Sequence, residues 1–484
     1  MSAVANTADD STRTRSRRLK RSAIGILILA VAVPVGYRAY EVLHTPDVGE
    51  PFDVEAFASY SLPDERNAFT YYRKAVKLFV TEQAVMDSDA TIKSSDFWKS
   101  WTAAAEGWEH AIPGVRRWVA VNRPMLAEWK HGADCAESLE YSPADLLAGV
   151  PWSSDSAQRL QNCARLQDLE GMRLIAEGHP TEAWSCFRNL LRASRHLAMH
   201  GTCLDTLVGN AIGELGVCGG VKWSAQKSVG AVQLKNAIRD VLSVEEMQTP
   251  PSDTIKLDYV FFKLAETGHP YGTSGRSWIR STGYPAEVGR AARLVVANLL
   301  TQVDRPRYLR TPVHPGHFGL FELDPKEPPN LNLRPPEEIE RFAETSAGTV
   351  AKMLRQIAPE AANEIQLYDP QMAMSGLQAA YEAQDTAQAR RESLLLALAL
   401  QLHFREHGEF PASLDELVKR GYLKSIAPDP FGKGEPFRYR RESTTPGSAV
   451  VWSIWTDGVD QGGVEKVDRV IRVKPPSASG PFGK

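Results

Sequence analysis

The feature that most limits how this chain can fold is an uncharged apolar run at residues 23–37, which directly follows a basic tail. The run has 15 residues, and flanking arginines and tyrosines extend it toward the roughly 20 residues of a membrane helix. We therefore predict a cytoplasmic tail over 1–22 and a single membrane helix over 23–40. The positive-inside rule places the remaining bulk outside the inner (cytoplasmic) membrane, in the periplasm or an equivalent space.

A cleaved signal peptide is the alternative interpretation of this N-terminus, with Ala30-Val31-Ala32 as a small-residue cleavage site. The long basic region and the apolar run beyond that site favour the uncleaved anchor. No later segment competes, because the apolar stretch 394–402 has only nine residues and is typical of a packed helix.

Composition limits the partners and the chemistry of the remaining chain. A net charge of −3 gives no electrostatic argument for nucleic acid, so we expect the membrane and envelope proteins as partners. None of the five cysteines belongs to a CxxC pair, and all lie in helical patterns. The pattern favours small buried hydrophobes over two disulfides and a free thiol; the cysteines are Cys135, Cys163, Cys186, Cys203 and Cys218.

Helical periodicity dominates the region 41–303, which we predict to be an α-helical domain. The clearest helices are predicted at 67–81, 97–110, 115–131, 160–177 and 181–200, with a turn at Gly178 between the last two. One apolar stripe at helical spacing predicts a core face; it consists of Trp98, Trp101, Ala105 and Trp108.

A proline-rich segment at 304–336 interrupts this pattern with eight prolines. It is either a linker or a loop wrapped over the helices. His314 and His317 within it are candidate residues of a hydrolase-type site, although no Glu or third His has a matching metal-ligand spacing. Polar turn residues are the competing interpretation. A helical connector is predicted over 337–385.

The C-terminal pattern predicts a small α+β module over 386–475, a long helix followed by an antiparallel sheet, and a flexible tail over 476–484. The helix is expected from about residue 379 to 407, with Leu394, Leu398 and Leu402 on one face. Ser413 and Glu416 have capping-box spacing, which predicts a short helix that ends at Gly421. Strands are predicted at 450–455 and 467–473. The fold class is therefore mostly α with this one α+β module.

Two short patterns occur in order in this module, PDPFG at 428–432 and DGVDQGG at 457–463. Their order over residues 386–468 resembles the C-terminal half of the major pseudopilins of type II secretion systems. A pseudopilin also has a processed leader and a hydrophobic helix, which do not precede residue 386, so the resemblance does not imply a polymerising pilin. The whole layout resembles that of uncharacterised bacterial membrane-anchored proteins with the same tail.

The resemblance implies a calcium site in the loop that we call the GG loop, residues 456–468. Its matching acids are Asp457, Asp460, Glu465 and Asp468. Calcium requires about six to eight oxygen ligands, which carboxylates and the carbonyls of a glycine-rich loop can supply. A solvated hairpin turn is the favoured alternative, because Asp-Gly is by itself a turn signal.

Two functional classes follow from these patterns. The first is a non-enzymatic, membrane-anchored extracytoplasmic scaffold or adaptor, linked through its tail to secretion or pilus-like machinery. The alternative is a hydrolase-type envelope enzyme with its site near the proline-rich segment. An enzyme requires a concave pocket with convergent polar groups, whereas a scaffold exposes apolar surface.

Overall fold

The computed structural model describes residues 48–89, 91–148, 155–266, 303–310, 370–442, 447–455, 458–464 and 468–476, with isolated positions between 293 and 301. The chain divides into two compact units, and the second comprises Phe52–His269, Asn298–Pro312 and Gln371–Lys484. The helices and strands described here belong to this second unit. The longest helix begins at Pro370, and the second unit includes it from Gln371 onward. The predicted anchor at 23–40 lies outside the described residues. Within those residues, none of the helices combines the length and apolar character needed to cross a membrane.

The second unit is helical from Val54 to Glu266, which confirms the predicted helical character of this region. Its helices are α1 (Val54–Ala58), α2 (Ala68–Leu78), α3 (Glu82–Asp87), α4 (Ser94–Ala104), α5 (Pro113–Val121), α6 (Arg123–Asp134), α7 (Pro143–Leu147), α8 (Asp155–Ala176), α9 (Pro180–Ala198), α10 (Cys203–Ser224), α11 (Ala231–Glu246) and α12 (Pro251–Glu266). The domain boundaries given above stay predictions.

The single helix predicted at 115–131 is wrong, because the chain breaks at Asn122 between α5 and α6. Pro124 lacks an N–H group, and its ring clashes with the carbonyl four residues earlier, so it cannot continue α5. The Asn122 side chain stabilises the break: it accepts from Val80 N at 2.8 Å and donates to Trp118 O at 2.9 Å.

The predicted tryptophan stripe is also wrong in part. In α4 the core-facing side chains are Phe97, Ser100 and Ala104, whereas Trp98 is 37% exposed. Trp108 is buried, but it belongs to a separate 3-10 turn, Trp108–His110. Because the helix ends before this turn, residues on its two sides do not share one helical face.

The hairpin of α8 and α9 has the predicted turn. Gly178 has a φ of +81°, and His179 N donates to Leu174 O at 2.8 Å, which closes the end of α8. Helix α10 then packs against α9 through a face of glycines. A Cβ added at Gly219 would lie 2.1 Å from Phe187 Cε1, so the two helices approach closely only because this residue is glycine.

The C-terminal part has the predicted long helix and antiparallel sheet. Its elements are α13 (Pro370–His407), α14 (Asp415–Lys419), β1 (Arg438–Glu442), β2 (Ser448–Ser453) and β3 (Arg469–Val473). The sheet has the order β1-β2-β3, and Val451 on the central strand pairs with Tyr439 and Ile471. Leu394, Leu398 and Leu402 are buried as predicted, and the described residues of this part share one hydrophobic core with the preceding helices.

The predicted capping box of the short helix does not form. Helix α14 begins at Asp415 without a side-chain cap, because Leu417 N bonds to Leu414 O in a tight first turn. Glu416 Oε1 instead accepts from Ala412 N at 3.2 Å. The helix ends before Gly421, whose φ of +74° is the left-handed conformation that glycine favours at this position.

Candidate functional site

The GG loop is fixed by its own carboxylates. Asp468 is 4% exposed and accepts from Gly463 N at 2.8 Å and from Val464 N at 3.1 Å. Asp460 accepts from the Trp452 ring N–H and from the Gly462 N–H, both at 2.9 Å. These bonds to ring and backbone N–H groups lower the pKa of Asp460. Both acids therefore hold the backbone of the described part of the loop, at residues 462–464.

The structure brings two of the four predicted calcium ligands into one loop, Asp460 and Asp468. The other two, Asp457 and Glu465, lie outside the described residues. Within the part of the chain that the structure describes, no group of three His, Cys, Asp or Glu side chains is placed to hold a metal ion. Calcium binding stays a prediction. His314 and His317 also lie outside the described residues.

Sequence reasoning missed the role of Asp429 in the PDPFG segment. Its side chain is buried and accepts from Phe431 N at 3.0 Å, from Ser453 Oγ at 2.7 Å and from Ile454 N at 3.0 Å. It joins the PDPFG turn to the end of β2, directly before the GG loop. The bonds of Asp429 to Ser453 and Ile454 join residues 24 and 25 positions apart, so no local pattern predicts them. The order of the PDPFG and DGVDQGG segments was the only signal in the sequence that could have indicated this contact.

The second candidate site is a polar cavity of about 40 Å³. We call it the arginine cavity. Its wall is formed by side chains of helices α9, α10 and α13, the segment from Gln248 to the start of α12, and Arg310, which follows the 3-10 turn Arg307–Leu309. The polar and charged side chains of this wall include Arg195, Asn210, Arg310, Gln384, Asp385 and Arg391.

Two carboxylates join the guanidinium groups of the arginine cavity. Glu245 on α11 accepts from Arg195 Nη2 and from Arg391 Nε, both at 2.6 Å. Asp385 accepts from Arg310 Nη1 at 2.9 Å and from Arg307 Nη1 at 3.4 Å. Such charge-assisted bonds fix the positions of the guanidinium planes. The ion pairs thereby connect α9, α11 and α13 around one small space.

Burial and like charges shift the titration of these groups. Burial, followed by repulsion from Arg391, lowers the pKa of Arg195 to about 9. Burial and the neighbouring Glu245 raise the pKa of Glu392 to about 7. Burial also raises the pKa of Asp385, although Arg310 and Arg307 act in the opposite direction.

A buried tyrosine–histidine pair joins α2 to α9. His196 is fully buried, with Nδ1 2.8 Å from Tyr72 Oη and Nε2 3.0 Å from Cys135 O. Since Nε2 faces a carbonyl, it carries the proton, and Nδ1 accepts from the tyrosine hydroxyl. Burial lowers the pKa of His196 to about 3, so the pair is neutral and structural.

The five cysteines are free thiols. Cys163 and Cys186 are buried, which confirms the predicted hydrophobic role for these two, whereas Cys218 is exposed. Burial raises the pKa of the Cys163 thiol to about 12. A thiol of such a high pKa stays protonated and is a poor nucleophile.

The chain matches no protein-family model, no curated protein and no solved structure. The geometry of the GG loop and of the arginine cavity therefore carries the argument about function.

Proposed function

We propose that this protein is a membrane-anchored extracytoplasmic adaptor that binds protein partners through the GG loop and does not act by catalysis. The supporting observation is the combination of a fixed backbone with exposed apolar side chains. Asp460 and Asp468 hold the loop, while Val459 and Val464 are 55% and 50% exposed.

A loop of this kind is suited to protein binding for two reasons. Its conformation is already fixed, so association loses less conformational entropy than it would with a flexible loop. Its two valines bring apolar area to the contact, and burial of that area favours association.

The neighbouring sheet edge is less suited to a partner. The β1 edge carries Arg440 and Arg441, which lie 3.7 Å from Glu442 and 2.9 Å from Glu409. Charged side chains on an edge strand oppose the addition of a further strand. The proposal therefore assigns the partner to the GG loop and not to the sheet edge.

The predicted anchor at 23–40 is the second part of the proposal, because it holds the loop at the outer face of the inner membrane. The resemblance to pseudopilins adds the class of partner, a component of secretion or pilus-like machinery. Resistance of the full-length protein to alkaline carbonate extraction tests the anchor independently of the loop.

Site-specific photocrosslinking of the full-length protein in its native membrane tests the loop. A photoreactive amino acid replaces Val459 or Val464 in two variants and Val232 in the control, since Val232 on α11 is 72% exposed. We expect one adduct of the same mass from positions 459 and 464 and none from 232. Asp468→Ala, which removes the carboxylate that holds the loop, should abolish the adduct.

Adducts of equal yield from all three positions, or no adduct from the loop positions, would overturn the proposal. Persistence of the adduct in the Asp468→Ala variant would show that a fixed loop is not required.

A further inference from the structure

The arginine cavity contains hydrogen-bond donors that have no acceptor among the described residues. Within that part of the chain, Arg391 donates to Glu245 through Nε, and Arg310 donates through Nε and Nη1. Asn210 Nδ2 is buried without a hydrogen-bond partner there, as is one acceptor of the wall, Gln384 Oε1. A guanidinium group has five N–H donors and no acceptor. Buried donors without acceptors destabilise a fold, so the cavity favours an occupant that supplies acceptor atoms.

The charges around the cavity also favour an occupant that supplies acceptor atoms. Three guanidinium groups line the cavity, those of Arg195, Arg310 and Arg391, and among the described residues they form ion pairs with two carboxylates, Glu245 and Asp385. Glu392 has a pKa of about 7 and is therefore about half ionised at neutral pH. Burial is the main cause of the lowered pKa of Arg195, and the neighbouring charge of Arg391 lowers that pKa further. An anion would offset the excess of guanidinium groups over carboxylates.

The size of the cavity limits the anion. A volume of about 40 Å³ accommodates about three water molecules, since each needs roughly 10–15 Å³ measured in this way. The oxygens of one carboxylate or phosphate group require a similar space. Guanidinium groups match both of these anions, because their N–H groups bind paired oxygens.

We propose that the arginine cavity binds the oxyanion group of a small solute, a carboxylate or a phosphate, between Arg310 and Arg391. The oxyanion accepts from the terminal nitrogens of these arginines and from Asn210 Nδ2. The site is independent of the GG loop and of any protein partner.

Thermal melts of the full-length protein in detergent test this site. Sodium phosphate and sodium acetate are titrated separately against sodium chloride of equal ionic strength. A ligand of the native state raises the melting temperature along a saturating curve. Exclusion of phosphate from protein surfaces instead raises it without saturation and equally in all variants. Saturation by phosphate identifies a phosphate site, and saturation by acetate identifies a carboxylate site.

Three variants make the test specific. Arg310→Gln should raise the half-saturating anion concentration by about tenfold, because one charged donor is lost. Asp385→Asn should lower it, because a carboxylate that lines the cavity loses its charge. Arg173→Gln is the control, since Arg173 on α8 pairs with Glu170 and with Glu177, which directly follows α8, and does not line the cavity. If Arg310→Gln does not fold, Arg310→Lys replaces it and should also weaken binding, because lysine lacks the planar fork.

The proposal is overturned if neither anion gives a saturating curve with the unmodified protein. It is also overturned if the Arg310 variant saturates at the same concentration as the control. Opposite effects of Arg310→Gln and Asp385→Asn would support it, since a loss of fold stability alone does not change the sign.

Discussion

Replacement of Gly219 by alanine tests why α9 and α10 pack so closely. The added methyl carbon would lie 2.1 Å from Phe187 Cε1 and 2.3 Å from Cδ1, far inside van der Waals contact. The ring is fully buried, and a Cβ built at Gly171 would also lie 2.7 Å from Cε1. Glycines at two positions therefore leave room for the ring.

The expected size of the effect follows from two opposing contributions. Overpacking of a dense core destabilises by about 1–3 kcal/mol, and this clash belongs at the upper end because the Phe187 ring is fully buried. Alanine has a better helix propensity than glycine by about 1 kcal/mol in a helix interior. We therefore expect Gly219→Ala to lower the free energy of unfolding by about 2 kcal/mol.

Urea unfolding of the full-length protein, followed by tryptophan fluorescence, measures this change. Gly230→Ala is the control, because the nearest atom to its added Cβ is 3.9 Å away. Gly230 is the N-cap of α11, where alanine is less favourable than glycine by about 0.5–1 kcal/mol, still well below the change expected at Gly219. Phe187→Leu in the Gly219→Ala background should recover about 1 kcal/mol relative to the sum of the single changes. A stable Gly219→Ala variant, or strictly additive changes, would refute the explanation of the glycine face.

Three further predictions concern the two candidate sites. The pKa of Glu392 is about 7 in the folded chain against 4.5 for an ordinary glutamate, so the folded state binds its proton more tightly and stability falls as the pH rises from about 4.5 to 7. Glu392→Gln should remove this fall of about 3 kcal/mol, and equal urea midpoints of variant and unmodified protein at pH 5 and at pH 8 would contradict the shift. Asp429→Asn should cost about 1–3 kcal/mol, because one buried donor then faces an amide N–H; Ser453→Ala, which removes one of the three bonds, is the milder control in the same unfolding assay. If calcium binds the GG loop, millimolar calcium raises the melting temperature of the full-length protein, and Asp457→Ala abolishes that rise; an unchanged melt of both proteins removes the calcium hypothesis.

The sequence predicted the elements that depend on local periodicity. Helical spacing located the α8–α9 hairpin, and short apolar runs beside turn residues located two of the three strands of the C-terminal sheet, β2 and β3. The failures had two kinds of cause. Pro124 ends α5 and is a local signal that the single-helix prediction did not use. The bond of Asn122 to Val80, 42 positions earlier, stabilises this break and is contained in no local pattern. Trp98 faces solvent because the buried face of α4 is formed by Phe97, Ser100 and Ala104.

The candidate sites differ in the same way. The GG loop could be located from the sequence, because its glycines and acids lie within one short segment. In the structure its glycines adopt the positive φ angles that a tight turn requires. The arginine cavity could not, because Arg195, Glu245 and Arg391 come from three helices and have no local spacing in common. A buried pair such as Arg195 and Glu245 is visible only after the helices have packed.

The arginine cavity and the GG loop share one structural support, the long helix α13. Arg391 on this helix lines the cavity, and Gln401 on the same helix donates to Lys474 O at 2.7 Å, directly after β3. An effect of anion binding on the loop would need a second arrangement of α13, because coupling between sites requires two states with different affinities. Residues 394–400 of the helix are buried on all sides, and a densely packed core does not deform gradually. Arg405 further fixes the helix by donating to Ser224 O at 3.2 Å and Gln226 O at 2.7 Å, at the end of α10. We therefore expect the oxyanion and the protein partner to bind independently, with unchanged affinity of each when the other is bound.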